Sequence, residues 1–487
     1  MNVTCKAIGA TCVIFAATLA TWVAMNAAAG ELDPPAGPIG PTMKPLDQVE
    51  PRVAINAQNT PGNADALFQI TQPGSYYVTG NVIGVAGKAG IEIAAAGVTI
   101  DLMGFAVRGV PGSTDGVRSS LSIGIHRLTV RNGTVEDWGG SGIELAAGGG
   151  ELSLVENVVA SGNGLFGIRG GFHTTVRGCR AASNGFVGIA VSNGGILESC
   201  IATGNQGGGG ISAGAHSTVS ACSAVQNVGI GITAGSNSTV TRSTAQSNTL
   251  SGFSISSGTT IIACAAGENG QQGISAGSGC TVTHCTAFGN SLNGISVNAP
   301  NSTVSGSTAV GNTGNGILAG LGCTISGCST SSNGLNGVNT GAGCTIRDCT
   351  ARLNGADGIA AGDGSTIAAC TASQNSLNGV RVTADSTVRG NTCDGNGLAP
   401  TDGAGIFVTG ADNRIEDNNC TDNRRGIDVD GSGNIIRRNT CSGNTVHWDI
   451  ASGNVCQAVI AFTTGGFTGA AGGTAPGNTD PNVNFTY

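Results

Sequence analysis

The chain has 487 residues, among them 84 Gly, 17 Cys and 13 Pro, but only 3 Trp, 3 Tyr and 12 Phe. Charged residues make up 10% of it, against roughly 25% in an ordinary soluble domain, and 29 acidic side chains outnumber 21 basic ones. Glycine without a three-residue period excludes collagen, 39% hydrophobic residues exclude a disordered polar chain, and the scarcity of lysine (Lys6, Lys44, Lys88) leaves no basic patch for nucleic acid.

Lys6 precedes an apolar run from Ala7 to Met25, and Ala27, Ala28 and Ala29 follow it. That order of charge, apolar core and small residues reads as a secretory signal over residues 1–29, cut after Ala29. Thr11, Thr18 and Thr21 dilute the run below what a membrane anchor needs. The expected location is therefore secreted, periplasmic or cell-surface, with no membrane span left after cleavage. Residues 30–50 carry Pro34, Pro35, Pro38, Pro41 and Pro45 and read as an extended linker. Cleavage removes Cys5 and Cys12 and leaves 15 of the 17 cysteines where disulfides form. An odd number leaves at least one unpaired within the chain.

From there the chain repeats itself every 21 to 22 residues. The main marker is Gly followed by an apolar residue, running through Ile143, Ile168, Ile189, Ile211, Ile232 and Phe253 to Ile406 and Ile427. Ile91 and Val117 extend it backwards at longer steps, giving about sixteen turns. A column of Asn runs from Asn163 to Asn444, and a column of Cys from Cys179 to Cys370, with Ser243 and Ser307 in its gaps. Each unit reads as two or three very short strands between Gly, Asn and Ser turns. A unit so small buries nothing alone, so the units must stack, each strand pairing in parallel with its copy about 4.8 Å away. Stacking makes the Ile and Val an inward apolar ladder. It gives the Cys a tight inward place as small hydrophobes and the Asn a turn where amides bond from coil to coil. The Gly before each Ile is expected at a tight corner.

The pattern G-I-x-V…S-T-V-x-x-C-T-A-x-x-N resembles the right-handed parallel β-helix proteins of the pectin-lyase-like superfamily, over roughly Asn56 to Cys456. The stretches from Gln72 to Asn81 and from Gly97 to Phe105 resemble the opening coils of bacterial exported members. The fold implied is all-β: residues 51–89 cap and enter the helix, 90–454 form it, and 455–487 cover its end. The resemblance implies many activities, among them pectate and alginate lyases, polygalacturonases, epimerases, tailspikes and adhesins, and fold alone does not choose between them. The polygalacturonase motifs D-D, G-H-G and R-I-K do not occur, and Asn478-Thr479-Asp480 falls only in the tail.

Ligands of such enzymes lie along an outer strand face, which here is the residue after each Ile. The middle coils are bland there: Ala190, Ser212, Thr233, Ser254, Ser275, Ser296. The first coils read Glu92, Arg118, Glu144, Arg169, an alternation expected to stack as ion pairs. At the other end Asp428 and Asp430 flank Val429, so both are expected outward, about 6.5–7 Å apart and near the separation of inverting glycosidases. Phe407 beside them suits a sugar ring and Arg381 a carboxylate. These four are the candidate site, with Asp428 and Asp430 catalytic and Arg381 and Phe407 substrate-binding. Arg389, Glu416 and Arg437 form another alternating column, and Asp417 aligns with Arg438. Three C-x4-C pairs, Cys280–Cys285, Cys323–Cys328 and Cys344–Cys349, fit inward packing or disulfides better than zinc.

No metal site and no cofactor are expected, calcium entering only with a lyase-like activity. The leading reading is a non-catalytic exported rod with a structural, adhesive or glycan-binding role at the cell surface or envelope. The alternative is a polysaccharide lyase or glycoside hydrolase using the outer face of the C-terminal coils. The expected partner is a polysaccharide or surface glycan in either case.

Overall fold

A computed structural model describes residues 51–120, 124–146, 150–398, 402–461, 466–469 and 479–487. The signal and linker expected over residues 1–50 lie outside the described residues, as does most of the Gly-rich stretch after Ala461.

One path repeats along the chain. In the turn opened by Gly294, the strand Ile295–Val297 leads to Thr303–Ser305, bends at Gly306 and Ser307 into Thr308–Val310, and bends again at Gly311 and Asn312. Gly316 then starts the next turn. Each strand pairs in parallel with its copies: Ile295 lies between Ile274 and Ile317, and Val304 between Val282 and Ile325. The described residues hold a 19-stranded sheet of the Ile column and a 36-stranded sheet of the other two strands. The molecule is an all-β parallel solenoid of about nineteen turns.

That exceeds the sixteen turns expected, because the count of markers stopped at Ile91 and Ile427. Phe68 stacks on Ile91 without a preceding Gly, Trp448 stacks on Ile427 after His447, and Phe467 adds a strand beyond it.

The core is a set of columns. Ile295, Val304 and Ala309 point inward from the three strands of one turn, and all are fully buried. Alanine holds the third column because that wall is crowded by the Asn ladder. A Cβ placed on Gly294 would lie 2.6 Å from Asn312 Nδ2, 2.7 Å from the Gly316 carbonyl and 3.0 Å from Ala309 Cβ. The glycine before each Ile therefore serves close approach, not the corner expected for it.

The corners lie elsewhere. Residues just before the Cys and Asn columns take the left-handed conformation, with φ of 47° at Arg242, 52° at His284 and 54° at Ser247. Such residues cost roughly 1–2 kcal/mol each, so the next residue must hold the corner in place. At one corner this is Asn. Asn312 Oδ1 accepts from both the backbone N–H (3.1 Å) and the side-chain Nδ2 (2.9 Å) of Asn290. Its own Nδ2 donates to Asn333 Oδ1 (3.0 Å) and to the Ala287 carbonyl (3.1 Å).

At the other corner the Cys column does the same work, while its side chains stay buried in the apolar core as expected. Ser243 Oγ accepts from the Cys222 N–H at 3.2 Å, and Cys264 Sγ from the Ser243 N–H at 3.5 Å. Beyond Cys370 the column continues as Asn391, Asn418 and Asn439, bonded in the same way. Cys, Ser and Asn are thus interchangeable as corner acceptors. Fourteen buried cysteines are free thiols, so of the two readings of the C-x4-C pairs inward packing holds and disulfides do not form. Burial holds the Cys179 thiol up at about 11.

Two substitutions separate these corner roles. Asn312→Ala strips the partner from two N–H groups of Asn290 and is expected to cost about 2–4 kcal/mol. Because each turn touches only its neighbours, hydrogen exchange should show protection lost in the turns around residues 287–333 and kept elsewhere. Cys264→Ser keeps an acceptor for Ser243 and should leave thermal stability nearly unchanged. Cys264→Val removes the acceptor and should destabilise by about 1–3 kcal/mol.

Candidate functional site

The C-terminal site rests on three neighbouring strands, Ala404–Val408, Arg425–Val429 and Val446–Ile450. Inward Ile406, Ile427 and Trp448 anchor them, which turns Phe407, Asp428 and Asp449 outward in one column. An open cavity of about 210 Å³ lies here, lined by Asn378, Asp402, Phe407, Arg425, Asp428, Asp430 and Asp449.

Phe407, Asp428 and Asp430 are thus brought to one cavity, but the two aspartates differ. Asp428 is 6% exposed, whereas Asp430 lies just past the strand end and is exposed. Burial pushes the Asp428 carboxyl up to about 7, with the charges of Asp430, Asp449 and Asp402 adding to it and Arg425 opposing. Arg381 is not in the lining. It stacks under Phe407 in register, and its Nε donates to Asp357 Oδ2 at 2.7 Å. Asp357 is itself buried and accepts from both the backbone N–H and Nδ2 of Asn378.

The centre of the cavity is Arg425, which the sequence pattern did not single out. Its guanidinium meets Asp402 at 3.0 Å, Asp428 at 3.3 Å and Asp449 at 3.2 Å. One cation thus holds three carboxylates and leaves Asp430 exposed. Asp449 escaped because His447-Trp448-Asp449 lacks the Gly-Ile marker, and Asp402 because it lies in an insertion. For Asp449 a signal was present in coil arithmetic, since it lies 21 residues after Asp428.

The first coils hold a second cavity, of about 740 Å³, lined in part by Asp65, Glu92, Asp115, Arg118, Glu144 and Arg169. The alternating column pairs inside itself: Arg118 with Glu92 at 2.7 Å and Arg169 with Glu144 at 3.5 Å. Glu92 also accepts from Gln69 at 2.8 Å. Burial raises the Glu144 pKa, the Asp115 charge adds to that, and Arg169 opposes it. The remaining charged column is a lattice of pairs: Glu416 binds Arg414, Arg437 and Arg438, and Arg438 binds Asp417 at 2.7 Å. Among the described residues no group of three or more His, Cys, Asp or Glu is placed to hold a metal ion.

The family described as "Right handed beta helix region" matches residues 114–262, 163–308 and 333–468. No curated protein matches the chain. Solved structures similar to it include the Azotobacter vinelandii mannuronan C-5 epimerase AlgE4 A-module, at 14% identity over 76% of this chain and 87% of that one, TM-score 0.30. Pectate lyase Pel9A is similar at 17% identity over 58% and 72%, TM-score 0.31, and the periplasmic alginate epimerase AlgG at 11% over 80% and 81%, TM-score 0.32. Likeness at these scores carries nothing of those proteins' activities over to this chain. The family matches span most of the repeat read from the sequence, and the chain belongs to the right-handed β-helix family.

Proposed function

We propose that this β-helix is an exported rod with a non-catalytic surface role, and that it binds glycan through the outer face of its C-terminal coils. One observation carries the reading: Phe407 lines an open cavity together with Asn378, Asp402, Asp430 and Asp449. An aromatic ring bordered by hydrogen-bonding side chains suits a sugar, whose ring faces are apolar and whose edge is hydroxyls. Four aspartates around one arginine favour a neutral glycan over a polyuronate.

A second reading, glycoside hydrolysis, is favoured by the Asp428 pKa of about 7 beside the exposed Asp430. A carboxyl that keeps part of its proton near neutral pH can act as a general acid, and a second carboxyl beside it is the base or nucleophile that hydrolysis requires. A lyase would instead depend on added calcium.

The test uses a panel of neutral and acidic polysaccharides, with and without calcium, following both retention and new reducing or unsaturated ends. The expected result is retention on neutral glycans without new ends, weakened roughly five- to tenfold by Phe407→Ala. New ends that vanish in Asp428→Asn with Asp430→Asn would establish the hydrolase instead. Retention on no glycan would overturn both readings.

The raised Asp428 pKa also predicts a pH signature. The native state holds the proton more tightly than the unfolded chain, whose aspartates titrate near about 3.9. Its contribution to stability is therefore whole below about pH 4 and is lost as the pH rises through about 7. Asp428→Asn should flatten that fall. Melting temperatures of both proteins at about pH 4 and pH 8, which roughly bracket that window, check it.

A further inference from the structure

Another open cavity, of about 420 Å³, lies against the first coils, and Arg169 lines both it and the one of about 740 Å³. Its wall is aromatic. Phe166 and Phe186 meet edge to face with ring centres 5.1 Å apart, and the Arg169 guanidinium sits 5.0 Å over the Phe166 ring. Phe186 is 43% exposed. The next coil makes room for it with glycine: a Cβ on Gly208 would lie 2.9 Å from two atoms of the Phe186 ring. Ala190, Ser212 and Thr233 line the same cavity, each following the marker Ile of its coil. From Ser212 to Ala360 that position stays uncharged. None of its residues is exposed, although all point outward. Exposed corner residues on either side, such as Leu292 and Ser256, therefore rise above them, and the face is a shallow trough.

We infer that this trough is the track of one neutral glycan chain, held on Phe186 near the start of the rod and on Phe407 near its end. The inference rests on the glycan reading of the C-terminal face. In-register pairing puts both rings on the same sheet face, ten coils apart from Ile189 to Ile406. At about 4.8 Å per coil they stand about 48 Å apart. Charge argues for the occupant. The one ionised residue in the column between the rings, Arg381, is taken up by Asp357 at 2.7 Å, so nothing there calls for a charged polymer. An extended peptide would need free backbone groups on a sheet edge, and those of the Ile strands are spent on the neighbouring coils. A chain of sugar rings asks only for stacking surfaces and hydroxyl partners, which Phe186, Ser212, Thr233 and Phe407 present. The middle coils add length rather than grip. Two weak contacts joined by one chain bind together about 10²–10⁴-fold more tightly than either alone.

Calorimetric titration of the purified chain tests this with a linear glucan, a mannan and a xylan, each beside its own tetrasaccharide, which is too short to reach from one ring to the other. Concentrations are counted in tetrasaccharide equivalents. The expected result is two tetrasaccharides bound per protein chain, and a polymer bound at least about tenfold more tightly. Phe186→Ala and Phe407→Ala should each weaken one tetrasaccharide site and abolish the polymer's advantage. Ser275→Arg, in the trough between the rings and outside both cavities, should keep both tetrasaccharide sites and lose the polymer's advantage. Circular dichroism checks that these variants keep the fold. Binding that Phe407→Ala alone weakens, with Phe186→Ala indifferent, overturns the inference and leaves the C-terminal reading standing. Binding that Phe186→Ala alone weakens overturns that reading and the track with it. A polymer advantage that survives Ser275→Arg overturns the track alone, and binding of none of the probes overturns both.

Discussion

A chain that turns three times in about twenty-one residues must find partners for backbone groups that no strand accommodates. Here one side chain per corner supplies them, repeated in register. At the ladder corner the carboxamide of each Asn is used completely, its oxygen accepting two bonds and its nitrogen donating two, with almost no exposure. Much else depends on that corner. The carboxamide needs room, so the residue opposite is Gly and the inward residue beside it is Ala. The corner residue before it is left-handed, and stacking on an identical corner holds it there. The apolar columns stabilise the stack and share in setting its register, since a slip of one residue turns every inward Ile outward; an Asn displaced in the same way leaves several buried polar groups unpaired as well.

This explains which features were legible in the sequence and which were not. Strand alternation and a fixed period were enough for the solenoid, because both are properties of one unit repeated. One column was misjudged and another was read only in part. Cysteine packs inward as its apolar character implies, but its place among Ser243, Ser307 and Asn391 also marks the position as an acceptor. Gly is permissive by nature, yet before Ile its function is a missing Cβ. Both gaps come from reading a residue type in isolation, when the substitutions tolerated along its own column carry the information.

The candidate site divides along the same line. Phe407 and Asp428 were visible because they follow the marker residue by one. Arg425 precedes its marker by two, in the column that holds leucine in four of the seven coils between Leu250 and Leu377. Asp402 belongs to no column at all. Position alone points Arg381 at a ligand, but buried Asp357 is its partner, and that aspartate continues a second ladder through Asn336 and Asn315. A ladder thus turns an outward charge into part of the frame.

Because the corners and the inward columns carry the register, the outer strand positions are released from structural duty, and the bland middle coils show that release by itself creates no site. The two cavities lined by charged clusters lie where the period breaks. Ile91 to Val117 and Val117 to Ile143 are steps of 26 residues, as is Val380 to Ile406, against the usual 21 or 22. The larger cavity lies on the first two long steps and the smaller beside the third. Asp402, in the third long step, lines the smaller cavity beside Asp428, whose carboxyl is pushed up by burial first and by the neighbouring acidic charges after it. In this solenoid the charge that gathers around a cavity gathers where the repeat lengthens.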